Sequence, residues 1–253
     1  MSILNLYRLY FIDEDGKLWG VMKDGRLNAI KKLPSFSRFS ADHKWVTGIE
    51  FSGKKTRVLM EPVGAFSNKD DVIFAQNGYY YYPSLLMKKP EKMAVLKADL
   101  LNEKGCLSLI VSEKKRARYY PVYECQVKIV PPQWDEKSGF LYYISADGFL
   151  TRTDGKKTQK LIPIDAEKFA FSPDLTTLAT YKNLKINFKT LDNEAQNEFY
   201  VEPVTALYFS ARENILYYAT QNRGKNELWT YDLKRKENTL LFAHAHPILD
   251  ICD

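Results

Sequence analysis

Three histidines, His43, His244 and His246, are the only imidazoles in the 253-residue chain, so an imidazole base or metal ligand must be one of them. His244 and His246 are two residues apart and, in an extended segment, project to one side. Asp250 follows closely enough to add a third ligand. The plainer account is a polar connection in which His246 hydrogen-bonds locally, and no metal or other cofactor is assigned. Cys106, Cys125 and Cys252 are odd in number and have no CxxC spacing, against a disulfide framework or a zinc site. No serine stands in a Gly-x-Ser-x-Gly elbow and no phosphate-cradling glycine loop occurs. The carboxylate groups Asp13-Glu14-Asp15 and Asp70-Asp71 sit among lysines in turn-like segments and read as solvated turn residues. None of these patterns specifies a catalytic residue.

Cations offer a second kind of chemistry. The formal net charge is +6, and three short segments concentrate it: "SGKKTR" with Lys54, Lys55 and Arg57, "SEKKRAR" with Lys114, Lys115, Arg116 and Arg118, and "QNRGK" with Arg223 and Lys225. Together they could attract an acidic protein segment, nucleic acid or anionic head groups through their summed field. Nucleic acid is the weaker expectation, because no aromatic residues are interleaved with these cations as stacking platforms. Whether the nine cations share a face depends on the elements that carry them.

Those elements follow a recurring frame. In "FSPDLTTL" Phe171 precedes Leu178 by seven residues with polar turn-formers between, and "FSARENIL" repeats this with Phe209 and Leu216. A strand, a tight turn and a second strand fit that spacing. The frame also matches Phe39 with Val46, Phe66 with Ile73, Leu100 with Leu107 and Trp134 with Leu141, giving anchors 27, 34, 34, 37 and 38 residues apart. Such intervals mark propellers or solenoids, and the lack of capped helical periods disfavours a helical solenoid. Eight of the 11 prolines, Pro34, Pro62, Pro90, Pro131, Pro132, Pro163, Pro203 and Pro247, fall at the expected connections. Phe39, Trp134, Phe171 and Phe209 should therefore be buried in equivalent places.

The last complete unit reads as four strands, and the N-terminus starts mid-unit with three, joined by the Asp-Gly turns "EDG" and "KDG". "PILDICD" at the C-terminus is an orphan first strand. Pairing residues 247–252 with residues 8–12 completes the first unit and closes the sheet edge. The reading is all-β, a single domain over residues 1–253 with seven four-stranded units, six being the alternative if Phe66 is a false anchor.

In the last unit, Trp229 and Asp232 near the end of the third strand, followed by His246-Pro247, resemble a degenerate WD repeat. "FSPD" at 171–174 resembles the repeats of TolB-like propellers. The resemblance implies a β-propeller and the family habit of serving as a binding platform. The chain is accordingly expected to be a non-catalytic interaction scaffold or adaptor. The alternative is a propeller hydrolase or lyase with its site on the central axis, built around His43 or His244.

On that plan the three basic segments are all turns between second and third strands and share a face. "MKKPEK" adds Lys88 and Lys89 there, whereas "DGKK" and "KRK" charge the opposite one. The tetratyrosine Tyr79–Tyr82 alternates sides along a strand and is expected to be buried between units. Aromatic residues make up 14% of the chain, which excludes global disorder. The N-terminal stretch has no basic leader, and no run reaches the roughly 18 apolar residues of a membrane span. With the cysteine pattern, these features lead us to expect a cytoplasmic protein.

Overall fold

The computed structural model describes residues 6–63, 71–98, 106–116, 118–190, 197–210 and 214–253, and there the chain is all-β. It separates into two compact units, residues 33–165 and residues 1–32 with 166–253. No helix among the described residues is long and apolar enough to cross a membrane.

The N-terminal strands are β1 (Tyr7–Asp13), β2 (Lys17–Met22) and β3 (Leu27–Lys32). Three antiparallel sheets make up the 33–165 unit. The first holds β4 (Ser35–Phe39), β5 (Trp45–Ser52), β6 (Lys55–Pro62) and β7 (Asp71–Asn77). The second holds β8 (Tyr79–Leu86), β9 (Lys92–Ala98), β10 (Cys106–Lys115) and β11 (Arg118–Lys128). The third holds β12 (Gln133–Trp134), β13 (Leu141–Ile144), β14 (Phe149–Thr153) and β15 (Thr158–Pro163). In the other unit, one sheet is β16 (Lys168–Phe171), β17 (Thr177–Lys182), β18 (Lys185–Thr190) and β19 (Asn197–Tyr200). The next is β20 (Val204–Phe209), β21 (Ile215–Asn222), β22 (Lys225–Asp232) and β23 (Glu237–His244). The last strand, β24 (Ile248–Cys252), lies beside β1 in the order β24-β1-β2-β3.

The seven-residue frame has a simple structural meaning. Phe39 pairs with Val46, Trp134 with Leu141, Phe171 with Leu178 and Phe209 with Leu216, each across the first hairpin of a sheet. The serine after the aromatic closes the turn: the backbone N–H of Ser40 donates to Trp45 O at 2.8 Å, that of Ser172 to Thr177 O at 2.9 Å and that of Ser210 to Ile215 O at 2.9 Å. In two of these turns the Ser hydroxyl also donates to the Asp two residues on, Ser40 to Asp42 and Ser172 to Asp174, each at 2.6 Å. The next residue then takes the left-handed conformation, His43 at φ 56° and Leu175 at φ 60°. Bonds from the Ser172 hydroxyl and the Thr176 backbone hold the Asp174 carboxyl below its ordinary range. His43 is therefore a turn residue of this motif, half-buried in the 33–165 unit.

There are six four-stranded sheets among the described residues, not seven. Phe66 and Leu100 lie outside those residues, but their frame partners are decisive. Ile73 falls in the fourth strand of its sheet and Leu107 in the third of its own, so neither closes a first hairpin. The true first strand between them is β8, whose turn into β9 lacks the aromatic-serine frame.

Phe39, Trp134 and Phe209 are buried as expected, whereas Phe171 is half-buried. Truncating Trp134 or Phe209 to Ala should destabilise by about 3 to 5 kcal/mol, and Phe171→Ala by clearly less, since less apolar surface leaves water there. Denaturant unfolding of the three variants checks the ranking.

Candidate functional site

The three basic segments lie at tight hairpin turns that contain left-handed residues. Ser52 pairs with Lys55, Lys115 with Arg118 and Asn222 with Lys225, with Gly53 at φ 60°, Arg116 at φ 58° and Arg223 at φ 48°. Lys54, Lys55, Arg57, Lys115, Arg116, Arg118, Arg223 and Lys225 are exposed. Arg57 donates to Glu50 at 3.2 Å, and the half-buried Lys114 pairs with Glu91 at 2.6 Å.

Their expected common placement needs correcting. The turns carrying Lys54 and Arg223 do join second to third strands, but the one carrying Lys114, Lys115, Arg116 and Arg118 joins the third strand to the fourth. In an antiparallel sheet that turn lies at the other end of the strands. One missed sheet start shifts the strand count by one, and the turn changes ends with it.

Beside Lys54 lies a feature that alternation alone does not give. The backbone N–H of Gly78 donates to Lys54 O at 2.8 Å, so Tyr79 begins β8 directly against the basic turn. Five rings then gather: Phe36 meets Phe51, Tyr81 and Tyr82 edge to face at 6.2, 5.3 and 5.9 Å between centroids, and Phe51 adjoins Tyr79 and Tyr81 at 6.2 and 6.0 Å. Phe36, Phe51 and Tyr79 are 40%, 39% and 36% exposed. Only Tyr80 of the tetratyrosine is buried, its ring against Phe74 and its hydroxyl on Gln76. Burial of all four tyrosines is thus overturned.

Two bulges make the cluster. In β4 the pairing steps from Ser35 with Ile49 to Arg38 with Thr47, leaving an extra residue; in β8 it steps from Tyr81 with Leu96 to Ser84 with Ala94. An extra residue breaks the two-residue alternation, so Tyr82 reaches the same ring cluster as Tyr81. At each bulge a bulky aromatic takes the left-handed conformation, Phe36 at φ 53° and Tyr82 at φ 50°. Such a conformation costs an L-residue roughly 1 to 2 kcal/mol. The surroundings hold both. Gly48 makes room for the first bulge, because a Cβ there would lie 2.5 Å from Ser37 Oγ and 2.7 Å from Pro34 Cβ. Pro83 steers Tyr82 away from the right-handed helical region, and the Thr47 hydroxyl donates to Pro83 O at 2.9 Å.

His244 and His246 form a second constellation in the other unit. Asp13, fully buried, accepts from the Lys17 backbone N–H at 2.8 Å and from Trp19 Nε1 at 2.7 Å, and His244 Nε2 lies 3.2 Å from its Oδ2. The His244 side chain is 6% exposed and packs edge-on against Phe11 and Trp19. His246 is more open and sits 3.3 Å from Asp15. A histidine within reach of a carboxylate is the pattern expected of the hydrolase alternative, but this imidazole is enclosed by rings. The arrangement links β23 to β1 and β2. No group of three or more His, Cys, Asp or Glu that could hold a metal occurs among the described residues. Asp232 caps its turn by accepting from the backbones of Lys234 and Arg235 at 2.8 and 3.0 Å.

No protein-family model and no curated protein sequence matches the chain. Solved structures do. TolB from Acinetobacter baumannii superposes with TM-score 0.73 at 12% identity over 96% of this chain, which spans 65% of the TolB chain. A chain of the nidogen/laminin complex gives 0.68 at 12% identity, covering 96% of this chain and 97% of that one. A chain of the mitotic checkpoint complex gives 0.57 at 14% identity, covering 98% and 80%. The resemblance to TolB-like and WD-repeat propellers therefore holds at the level of fold: the chain is an all-β propeller of six four-stranded blades.

Proposed function

We propose that the chain is a non-catalytic interaction module that captures an acidic protein segment on the β4–β5–β8 surface, with Lys54, Lys55 and Arg57 as its cations. The observation that carries this reading is the junction of a basic hairpin tip with five partly exposed rings. Exposed apolar rings contribute contact area at low entropic cost, and the neighbouring lysines select for carboxylates. Two of the similar folds come from structures described as complexes, nidogen/laminin and mitotic checkpoint, which accords with a binding platform. Arg223 and Lys225 in the other unit, and the Lys114–Arg118 turn, add general positive field.

Charge reversal tests the reading. Replacing Lys54, Lys55 and Arg57 together by Glu should weaken binding of a glutamate-rich peptide by roughly 1 to 3 kcal/mol, three exposed contacts of up to about 1 kcal/mol each. Wild-type binding should also fall as ionic strength rises. Fluorescence anisotropy reads both, and the thermal midpoint should stay nearly unchanged because the positions are hairpin tips. Salt-insensitive binding, undiminished in the triple variant, would remove this surface from consideration.

A further inference from the structure

We propose that the ring cluster of Phe36, Phe51, Tyr79, Tyr81 and Tyr82 is a docking site for a proline-containing segment in the extended polyproline conformation, flanked by acidic residues that face Lys54 and Lys55. The inference rests on the interaction reading and specifies the chemistry of the partner.

Three observations support it. The ring of Phe36 stands at 84°, 84° and 81° to those of Phe51, Tyr81 and Tyr82, so the rings form a notch of crossed planes, not a flat platform of parallel faces. A pyrrolidine ring fits such a notch, and a polyproline helix arrives with its conformational entropy already spent. The hydroxyls of Tyr79, Tyr81 and Tyr82 have no hydrogen-bond partner among the described residues, whereas that of Tyr80 bonds Gln76 at 3.0 Å. Free phenol donors beside apolar rings match a segment whose backbone carbonyls are all unpaired, as in polyproline. Finally, the two left-handed aromatics, Phe36 and Tyr82, sit together in this notch. Tyr82 also packs on the buried cluster that includes Leu86, Leu96 and Trp134, whereas Phe36 is 40% exposed and joins no core cluster among the described residues, so the strain that Gly48 accommodates at Phe36 serves to pre-form the surface.

Single-stranded nucleic acid is the rival occupant. It would need ring faces open for base stacking and a cation for each successive phosphate. Here the rings are engaged edge to face with one another, and Lys54 and Lys55 are two adjacent charges at one turn.

The test is selection from a displayed library of random peptides on the full chain, followed by anisotropy with the enriched peptides. The expected pool is rich in proline with flanking Asp or Glu. Exchanging the prolines of an enriched peptide for alanine should weaken it by roughly tenfold or more. Phe36→Gly, which removes the ring and accepts the left-handed backbone, should abolish capture without lowering the thermal midpoint. Tyr79→Phe and Tyr81→Phe should weaken it while keeping the rings. A merely structural Phe36 would give the opposite, a lowered midpoint with capture intact. A pool enriched in acids but not proline would overturn this inference and leave the interaction reading standing. Proline enrichment indifferent to Lys54 and Lys55 would remove the acidic flank from this proposal and with it the acidic reading. Absence of any enriched pool, tight binding of oligothymidylate through Phe36, or a change of oligomeric state in Phe36→Gly would each overturn the site.

Discussion

Truncating the chain before Pro247 is expected to lower the midpoint of thermal unfolding by roughly 10 °C or more. β24 pairs antiparallel with β1, Tyr10 with Cys252, Phe11 with Ile251 and Ile12 with Asp250. Its removal would turn β1 into an edge strand and empty two sites in a core shared with the next sheet. Ile248 and Ile251 are 1% and 2% exposed and pack with Leu9, Phe11 and Val21 on one side and with Ala206, Ala219 and Leu228 on the other. Removing two buried isoleucines costs about 4 to 10 kcal/mol together, and in a chain of this size each kcal/mol moves the midpoint by roughly 2 to 4 °C. The Tyr208 and Ser210 hydroxyls also lose the Asp253 carboxylate to which they donate. Differential scanning calorimetry of the truncated chain checks the shift; an unchanged midpoint would mean that the pairing contributes nothing to stability.

The pairing of 247–252 with the first strands was legible because it follows from counting: three strands without a first, and one without the other three. The sheet count was not, for a local physical reason. Five of the six junctions contain or directly follow a proline, at Pro34, Pro131-Pro132, Pro163, Pro203 and Pro247, but the step from β7 to β8 is made by Gly78 alone, at φ 118°. A lone glycine inside an apolar-aromatic run gives no signal that distinguishes a junction from a hairpin. Pro62 and Pro90 mislead in the complementary way, since both lie inside a blade, Pro62 as the last residue of β6 and Pro90 between β8 and β9. They make Phe66 and Leu100 look like starts.

The candidate site was partly readable. The cations of Lys54, Lys55 and Arg57 stand out in sequence, and the tetratyrosine announced itself. Their union did not, because it depends on two bulges. Alternation assigns Tyr80 and Tyr82 to one side, and only the extra residue between Tyr81 and Ser84 brings Tyr82 to the other. Phe36 carries no signature beyond the Pro-Ser-Phe-Ser context. The one available hint was Gly48 within an otherwise well-formed strand, which marks close backbone approach. The placement of Lys114–Arg118 failed for the same reason as the sheet count, since one missed start reverses the end at which every later turn of that sheet lies.

Asp13→Ala is the second large expected effect, about 3 to 5 kcal/mol of lost stability. The Asp13 carboxylate is fully buried and is the shared acceptor for the Lys17 backbone and the Trp19 indole, with His244 within reach. Alanine leaves the buried donors without an acceptor, and stranding the partners of a buried charge costs more than the pairing itself contributes. His244→Ala should cost less, because Asp13 keeps two of its donors while the ring contacts with Phe11 and Trp19 are lost. If the pair works as a fastener between β23 and the first two strands, both variants should bind acidic peptide with wild-type affinity once folded. Denaturant unfolding gives the ranking and anisotropy the affinity. A stable Asp13→Ala chain that has lost a binding or hydrolytic activity would reverse the assignment and make the His244–Asp13 pair the functional centre.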